Sequence, residues 1–190
     1  MSLFQQGSKE WKEFRNKGIG SSDAPILMGD SKYCSPLTLW ERKLGLVAEQ
    51  ETNSSMQRGK DLESIVIQLL ADRNLLFLPA VVVHPEISWC FSSLDGYNFN
   101  GDLCEIKCIN KKDHEKSIKK IVPSQYLAQL QHQIFVCEAD KVLYVSYYPE
   151  HENTLVMFDV YRDEKYIEKL LNKEKKFYNC LINKIPPGDL

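Results

Sequence analysis

No apolar run in this chain approaches the roughly 18 residues that a membrane-spanning helix requires, which excludes an integral helical membrane protein. Nor does the N-terminus show a charged region, an apolar stretch and a small-residue cleavage site in succession, which predicts a cytoplasmic protein. Charge of one sign is not in excess. Lys and Arg number 24 against 26 Asp and Glu, for a net charge of -2. The chain therefore carries no overall basic signal for nucleic acid, although a local groove can be basic on a neutral protein. The six cysteines (34, 90, 104, 108, 137 and 180) include no C-x-x-C pair, so Cys104 and Cys108 are not half of a zinc knuckle. Most read as small buried hydrophobes of a reducing compartment. The four histidines (84, 114, 132 and 151) show no H-x-x-x-H spacing and read as core or surface residues. Internal repeats, low-complexity tracts and long linkers are absent.

What is present is ordinary globular material: 190 residues, 43% hydrophobic, 26% charged and 11% aromatic, ample for one domain with a real core. Residues 8–17 read as a helix capped by Ser8 and ended by Gly18. In GIGSSDAPILMG, Ser21, Ser22 or Asp23 can cap a further helix with Pro25 in its first turn. PLTLWERKLG is a third, stopping at Gly45. A long helix is predicted from about Ser55 to Arg73, with Leu62, Ile65, Val66, Leu69 and Leu70 as its buried stripe. Strands follow at 80–84, 87–95 and 102–108, then a helix over 123–138 that starts at a proline. KVLYVSYYP and TLVMFDVYR form two more strands, and a long amphipathic helix closes the chain. The order predicts an α/β fold with a mixed sheet. One domain spans 1–190: a helical part over about 8–50, a core over about 54–160 and a final helix over about 162–183.

The strand LCEIKC is unusual. Leu103, Glu105 and Lys107 share one face, and Cys104, Ile106 and Cys108 the other, so an acid and an amine stand within a segment apolar enough for a core. Asn100-Gly101 marks a hairpin turn. A two-residue loop would set Gly96 opposite Glu105. A three-residue loop, Phe99-Asn100-Gly101 with Gly101 left-handed, sets Asp95 there instead, with Cβ atoms about 4.5–5.5 Å apart. The second register is predicted. Two such carboxylates repel until one takes a proton or a cation intervenes. A hard divalent ion, Mg²⁺ or Mn²⁺, suits them, and water acidified there and held by Lys107 is a nucleophile for in-line attack on phosphorus. Glu63 in RGKDLE stands beside its helix's apolar stripe, where it could complete the metal shell. In YLAQLQHQ, Gln129 and Gln133 share a helix face, and the three glutamines there are poor core residues and good donors to phosphate or water. By itself the D-x9-E-x-K pattern equally describes a surface ion pair on an edge strand.

The ordered set WKEFRNKGIGSSDA, SPLTLWERKLG, RGKDLE, LDG, EIKC and YLAQLQHQ, over residues 11 to about 150, resembles the phage lambda exonuclease / YqaJ-like viral recombinase family. That family lies within the PD-(D/E)XK nuclease superfamily. The resemblance implies a restriction-endonuclease-like core, with Asp95, Glu105, the Ile106 carbonyl and Glu63 as metal ligands for Mg²⁺ or Mn²⁺. It implies that Lys107 orients the attacking water, that Gln129 assists near the scissile phosphate, and that Arg15 and Ser22 bind a 5′-phosphate. An anion site of serine and arginine at a helix start is physically reasonable. The implied activity is a 5′-to-3′ exonuclease of the alkaline type on double-stranded DNA ends, serving phage-type recombination in a bacterial cytoplasm. Implied partners are duplex DNA ends, a single-strand annealing recombinase and further copies of the chain in a trimer. Two positions depart from the family pattern: Leu94 replaces a proline, and Arg58 an aromatic residue. A structure-specific endonuclease on the same core and a non-catalytic DNA-binding module are the alternative readings.

Overall fold

The computed structural model describes residues 8–48 and 54–188. The chain runs α1 (Lys9–Lys17), β1 (Ile19–Gly20), α2 (Ala24–Met28), α3 (Pro36–Lys43), α4 (Ser54–Ala71), β2 (Leu78–Val83) and β3 (Cys90–Tyr97). It continues through β4 (Leu103–Cys108), α5 (Lys111–Ile118), α6 (Ser124–Val136), β5 (Lys141–Tyr147), β6 (Leu155–Tyr161) and α7 (Glu164–Asn183). The expected mixed sheet forms with six strands in the order β1-β3-β4-β5-β6, with β2 also paired to β3. β4 and β5 run parallel, and α5 and α6 supply the crossover that a parallel pair requires.

Alternation along β4 divides the core. Cys104 and Ile106 pack with Val66 and Leu70 of α4, whereas Leu103 packs with Leu130 and Ile134 of α6. Glu105 follows Leu103 in parity and therefore lies beneath α6. On α4 the buried stripe is rotated from the predicted one. Ile65 is 47% exposed while Val66 and Leu70 are fully buried, and Ile67 packs against the same cluster. At 100° per residue the centre of that arc falls between positions 66 and 70, which brings Glu63 onto the sheet-facing side.

Three local readings differ. Asp23 stands at the start of α2 but does not cap it through its side chain; its carboxylate instead takes the Gly20 N–H at 2.9 Å. β3 begins at Cys90 rather than 87, because a turn in which Cys90 N–H donates to the Ile87 carbonyl precedes it. α5, unforeseen, is capped by Asn110, whose side chain accepts from Asp113 N–H.

Pairing along β3 shapes the molecule. Phe91 pairs with Val83 of β2 and with Gly20 of β1, and Tyr97 pairs with Leu78 of β2 and Leu103 of β4. A strand has two edges, so β2 covers one while β1 and β4 share the other. Between them, from Ser92 to Asp95, that edge has no strand partner among the described residues, and the sheet opens into a gap.

Candidate active site

The β3–β4 hairpin has the three-residue loop. Gly101 is left-handed at φ +86°, and Asn98 and Asp102 close the turn through Asn98 N–H to the Asp102 carbonyl at 3.2 Å. Asn98 Oδ1 accepts from the N–H groups of Asn100 and Asp102, both at 2.9 Å. The ladder then pairs Tyr97 with Leu103 and Gly96 with Cys104, so the next residues in register are Asp95 and Glu105. There the ladder stops, and Ile106 N–H donates instead to Asp95 Oδ2 at 2.9 Å. β3 also carries a bulge. Leu78 pairs with Tyr97 but Ala80 with Leu94, so three steps on β3 match two on β2. Such a bulge bends the strand and re-aims a side chain. Gly96 permits it: a Cβ there would stand 2.8 Å from the Cβ atoms of both Cys104 and Phe77.

Around Glu105, which is 1% exposed, donors gather from two elements. Lys107 Nζ lies 2.5 Å from Oε1. Gln129 Nε2 donates to Oε1 at 2.6 Å, and Gln133 Nε2 to Oε2 at 2.5 Å. Lys107 also donates to Gln129 Oε1 at 3.1 Å and sits 5.2 Å from the centre of the Tyr126 ring. Tyr126, Gln129 and Gln133 are thus one face of α6. Gln131 turns away despite being buried, bridging the Tyr161 carbonyl and Asp163 N–H. Sequence reasoning placed Gln129 and Gln133 on one face; Tyr126 follows from the same 3–4 spacing.

Electrostatically the site is short of positive charge. Burial, then the negative charge of Glu105, pushes the Asp95 carboxyl well above its ordinary range. Glu63 is raised by burial and by Glu105 as well. Burial opposes the Lys107 charge, but Glu105 and Asp95 outweigh it and hold the amine protonated. Three acids and one ammonium sum to -2, which a divalent cation would neutralise, and an all-oxygen donor set selects a hard one. The residues therefore fit such an ion in charge and chemistry. In spacing they are looser: among the described residues, the one trio of His, Cys, Asp or Glu whose ligand atoms all lie within 4.8 Å of one another is Cys90, His132 and Glu174. Asp95, Glu105 and Glu63 do not form such a trio.

Arg15 and Ser22 meet at the other lip of the gap, with Arg15 Nη2 donating to Ser22 Oγ at 3.2 Å. The Arg15 guanidinium also lies 5.2 Å from the Trp11 ring centre. Beneath them is a buried ion pair that the sequence reading missed. Lys43 Nζ is 2.8 Å from Asp23 Oδ2, both side chains being 3% exposed, and it also donates to the Arg15 carbonyl at 3.0 Å. Burial pushes the Asp23 carboxyl up, but Lys43 and Arg15 hold it below its usual value. The available signal was Lys43 at i+4 from Leu39, on the apolar face of α3.

A mixed sheet sandwiched between α4 and α6, with an Asp and an E-x-K strand at a split in its edge, is the PD-(D/E)XK core. Within that class the chain belongs to the YqaJ-like viral recombinase domain family, whose sequence profile matches residues 10–140. It is 29% identical over 181 residues to the protein YqaJ of Bacillus subtilis (strain 168), covering 90% of this chain and 55% of that relative's length. The fold matches an alkaline exonuclease, LHK-Exo from Laribacter hongkongensis, with a TM-score of 0.75, 25% identity and 94% of each chain covered. A phage related exonuclease from Haemophilus somnus 129PT also matches, with a TM-score of 0.59, 16% identity, 88% of this chain and 96% of that one covered. No helix among the described residues is long and apolar enough to cross a membrane.

Proposed function

We propose that this protein is a divalent-metal-dependent deoxyribonuclease that digests double-stranded DNA from 5′-phosphorylated ends, leaving a 3′ strand for recombination. The observation that carries the reading is the shared edge of β3, which puts Asp95, Glu105 and Lys107 on one lip of a gap and Arg15 with Ser22 on the other. Support comes also from the likeness to LHK-Exo, which is an alkaline exonuclease.

In this reading Asp95, Glu105, the Ile106 carbonyl and Glu63 would hold Mg²⁺ or Mn²⁺. When bound, the ion lets the acids ionise together and acidifies a water. Lys107, kept as an ammonium by its acidic neighbours, is a donor rather than a base. It orients the water oxygen toward phosphorus and stabilises negative charge on the phosphate as the water–phosphorus bond forms and the bond to the 3′ oxygen breaks. Gln129 and Gln133 fix Glu105 and leave Lys107 little freedom. Arg15 and Ser22 receive the terminal 5′-phosphate, which sets the direction of digestion. A single-strand annealing protein and a trimeric assembly belong to the same reading.

Linear duplexes with 5′-phosphate or 5′-hydroxyl ends, and closed circles, are incubated with Mg²⁺ or Mn²⁺. Progressive loss of the phosphorylated linear DNA alone is expected. Glu105→Ala should abolish it, and Arg15→Ala should erase the preference between the two ends. Nicking of closed circles would instead identify an endonuclease, and binding without cleavage in either metal would identify a DNA-binding module.

A further inference from the structure

His132 of α6 is completely buried, and both of its ring nitrogens face oxygen. Nδ1 lies 2.7 Å from Glu174 Oε1 of α7, and Nε2 lies 2.9 Å from the Phe91 carbonyl oxygen of β3. Cys90 Sγ stands further off, 3.7 Å from the same Nε2. A carbonyl and a carboxylate accept, so the ring that serves both carries a proton on each nitrogen and is an imidazolium. Burial works against that charge, but Glu174 and then Cys90 outweigh it and hold the His132 pKa well above its ordinary value. Glu174 is equally buried, and its Oε2 has no hydrogen-bond partner, so the carboxylate depends on His132 as the histidine depends on it.

The Phe91 carbonyl is where this pair meets the proposed chemistry. Successive carbonyls along a strand point to opposite edges. That of Trp89 accepts from Ile19 N–H of β1 at 2.7 Å, and that of Cys90 accepts from His84 N–H on the β2 side at 2.9 Å. Phe91 therefore points to the β1 side, where a longer β1 would bring the Ser21 N–H. β1 ends at Gly20, and His132 supplies the donor instead. Helix α6 is thus fastened on both sides of the gap, to β4 through Gln129 and Gln133 on Glu105 and to β3 through His132 on Phe91. The ladder between β3 and β4 has stopped at Gly96 and Cys104, so beyond that pair the helix bridges the two strands. We propose, on the nuclease reading above, that His132 is a positioning residue of the reaction: kept as an imidazolium by Glu174, it caps the Phe91 carbonyl in place of the missing strand and sets how far β3 stands from β4 where Asp95 faces Glu105. It acts through α6 and β3 rather than by touching substrate.

The full chain, free of metal and carrying isotope-labelled histidine, is read by NMR at about pH 9, where an ordinary histidine with a pKa near 6.5 is neutral. His132 is expected to show two ring N–H protons and imidazolium nitrogen shifts, with His132→Gln identifying the signal. Glu174→Gln keeps the shape and an acceptor for Nδ1 but removes the counter-charge. It should lose one ring proton at that pH and lower kcat on 5′-phosphorylated duplex by about tenfold or more. KM and the preference for phosphorylated ends should stay as in wild type, because Arg15 and Ser22 are untouched. Glu174→Asp, which keeps the charge, should retain both ring protons and most of the kcat. Should Glu174→Gln fail to fold, His132→Gln, which leaves Glu174 without its cation, is read for the same fall in kcat at constant KM. A single ring proton in wild type, or a variant that loses the imidazolium yet cleaves as wild type does, would overturn the inference. A wild type that shows both ring protons but cleaves nothing in Mg²⁺ or Mn²⁺ would overturn the nuclease reading and the positioning role with it, while the imidazolium tie would stand.

Discussion

Replacing Asp95 by Asn should make the metal-free protein more stable, the reverse of what most substitutions in a buried site do. Asp95 and Glu105 are the next residues in register beyond the Gly96–Cys104 pair, which implies an approach of about 5 Å. At an effective dielectric of about 20, two full charges at that distance repel by about 3 kcal/mol. Asn keeps a carbonyl oxygen for the Ile106 N–H now given to Asp95, so about 1 kcal/mol is lost with the charged acceptor. The net gain is about 2 kcal/mol at alkaline pH, or about 4–8 °C in Tm for a chain of this size. The raised Asp95 pKa fixes the sign. Its stabilising proton is fully present below the unfolded-state value near 3.9, and the contribution is lost as pH climbs through the folded-state value. The advantage of Asn should therefore vanish at acid pH and grow as pH rises. Thermal melts across pH, in chelator and then in Mg²⁺, give the answer. Wild type should gain about 2.7 kcal/mol at a Mg²⁺ concentration a hundredfold above its Kd, and Asp95→Asn far less. An Asn variant less stable than wild type in chelator at alkaline pH, or stabilised by Mg²⁺ as much as wild type, would refute the electrostatic account.

Lys43→Met should strand Asp23 as an unpaired buried acid and cost about 3–5 kcal/mol in chemical denaturation; adding Asp23→Asn should restore part of that loss. Because the Asp23 pKa is depressed, its contribution is present above the unfolded carboxyl value and disappears as pH falls through the folded one, so the Lys43→Met penalty should shrink in strong acid. Gly96→Ala sets a Cβ against two Cβ atoms that cannot swing aside. It should cost about 1–3 kcal/mol and reduce cleavage more than stability, since the bulge that aims Asp95 must shift. Equal cleavage by Gly96→Ala and wild type would detach the bulge from the site.

Whatever depended on neighbours in sequence was legible. The Asn100-Gly101 turn placed the hairpin and left two registers, of which the one that sets Asp95 opposite Glu105 is the one that forms, and parity placed Lys107 beside Glu105. Helical spacing joined Gln129 to Gln133. The α5 helix was missed because KKDHEKSI has no apolar stripe, although Asn110 three residues before Asp113 was a cap signal in plain view. What depended on a distant partner was hidden. The bulge at Asp95 exists only against β2. The stripe of α4 turns toward Glu63 rather than Ile65 because β4 presents Cys104 and Ile106 to it. Cys90, His132 and Glu174 are 42 residues apart at each step, and no local pattern announces them.

The gap itself is owed to a strand that stops early. Continued past Gly20, β1 would pair along Ser92 to Asp95 and seal the edge on which the site depends. It does not, because Asp23 folds back: its N–H donates to the Gly20 carbonyl at 2.8 Å, and its carboxylate takes the Gly20 N–H. The stretch GSSD reads in sequence as a helix cap, yet its aspartate acts as a strand terminator held in place by Lys43. One buried acid thus does two things for the proposed chemistry. It leaves the edge of β3 open where Asp95 must face Glu105, and it sets Ser22 beside Arg15 on the opposite lip. Loosening Asp23 should disturb both lips at once, whereas Arg15→Ala touches only one. Asp23→Asn should therefore lower cleavage of 5′-hydroxyl ends as well as phosphorylated ones, and a selective loss on phosphorylated ends alone would contradict the coupling.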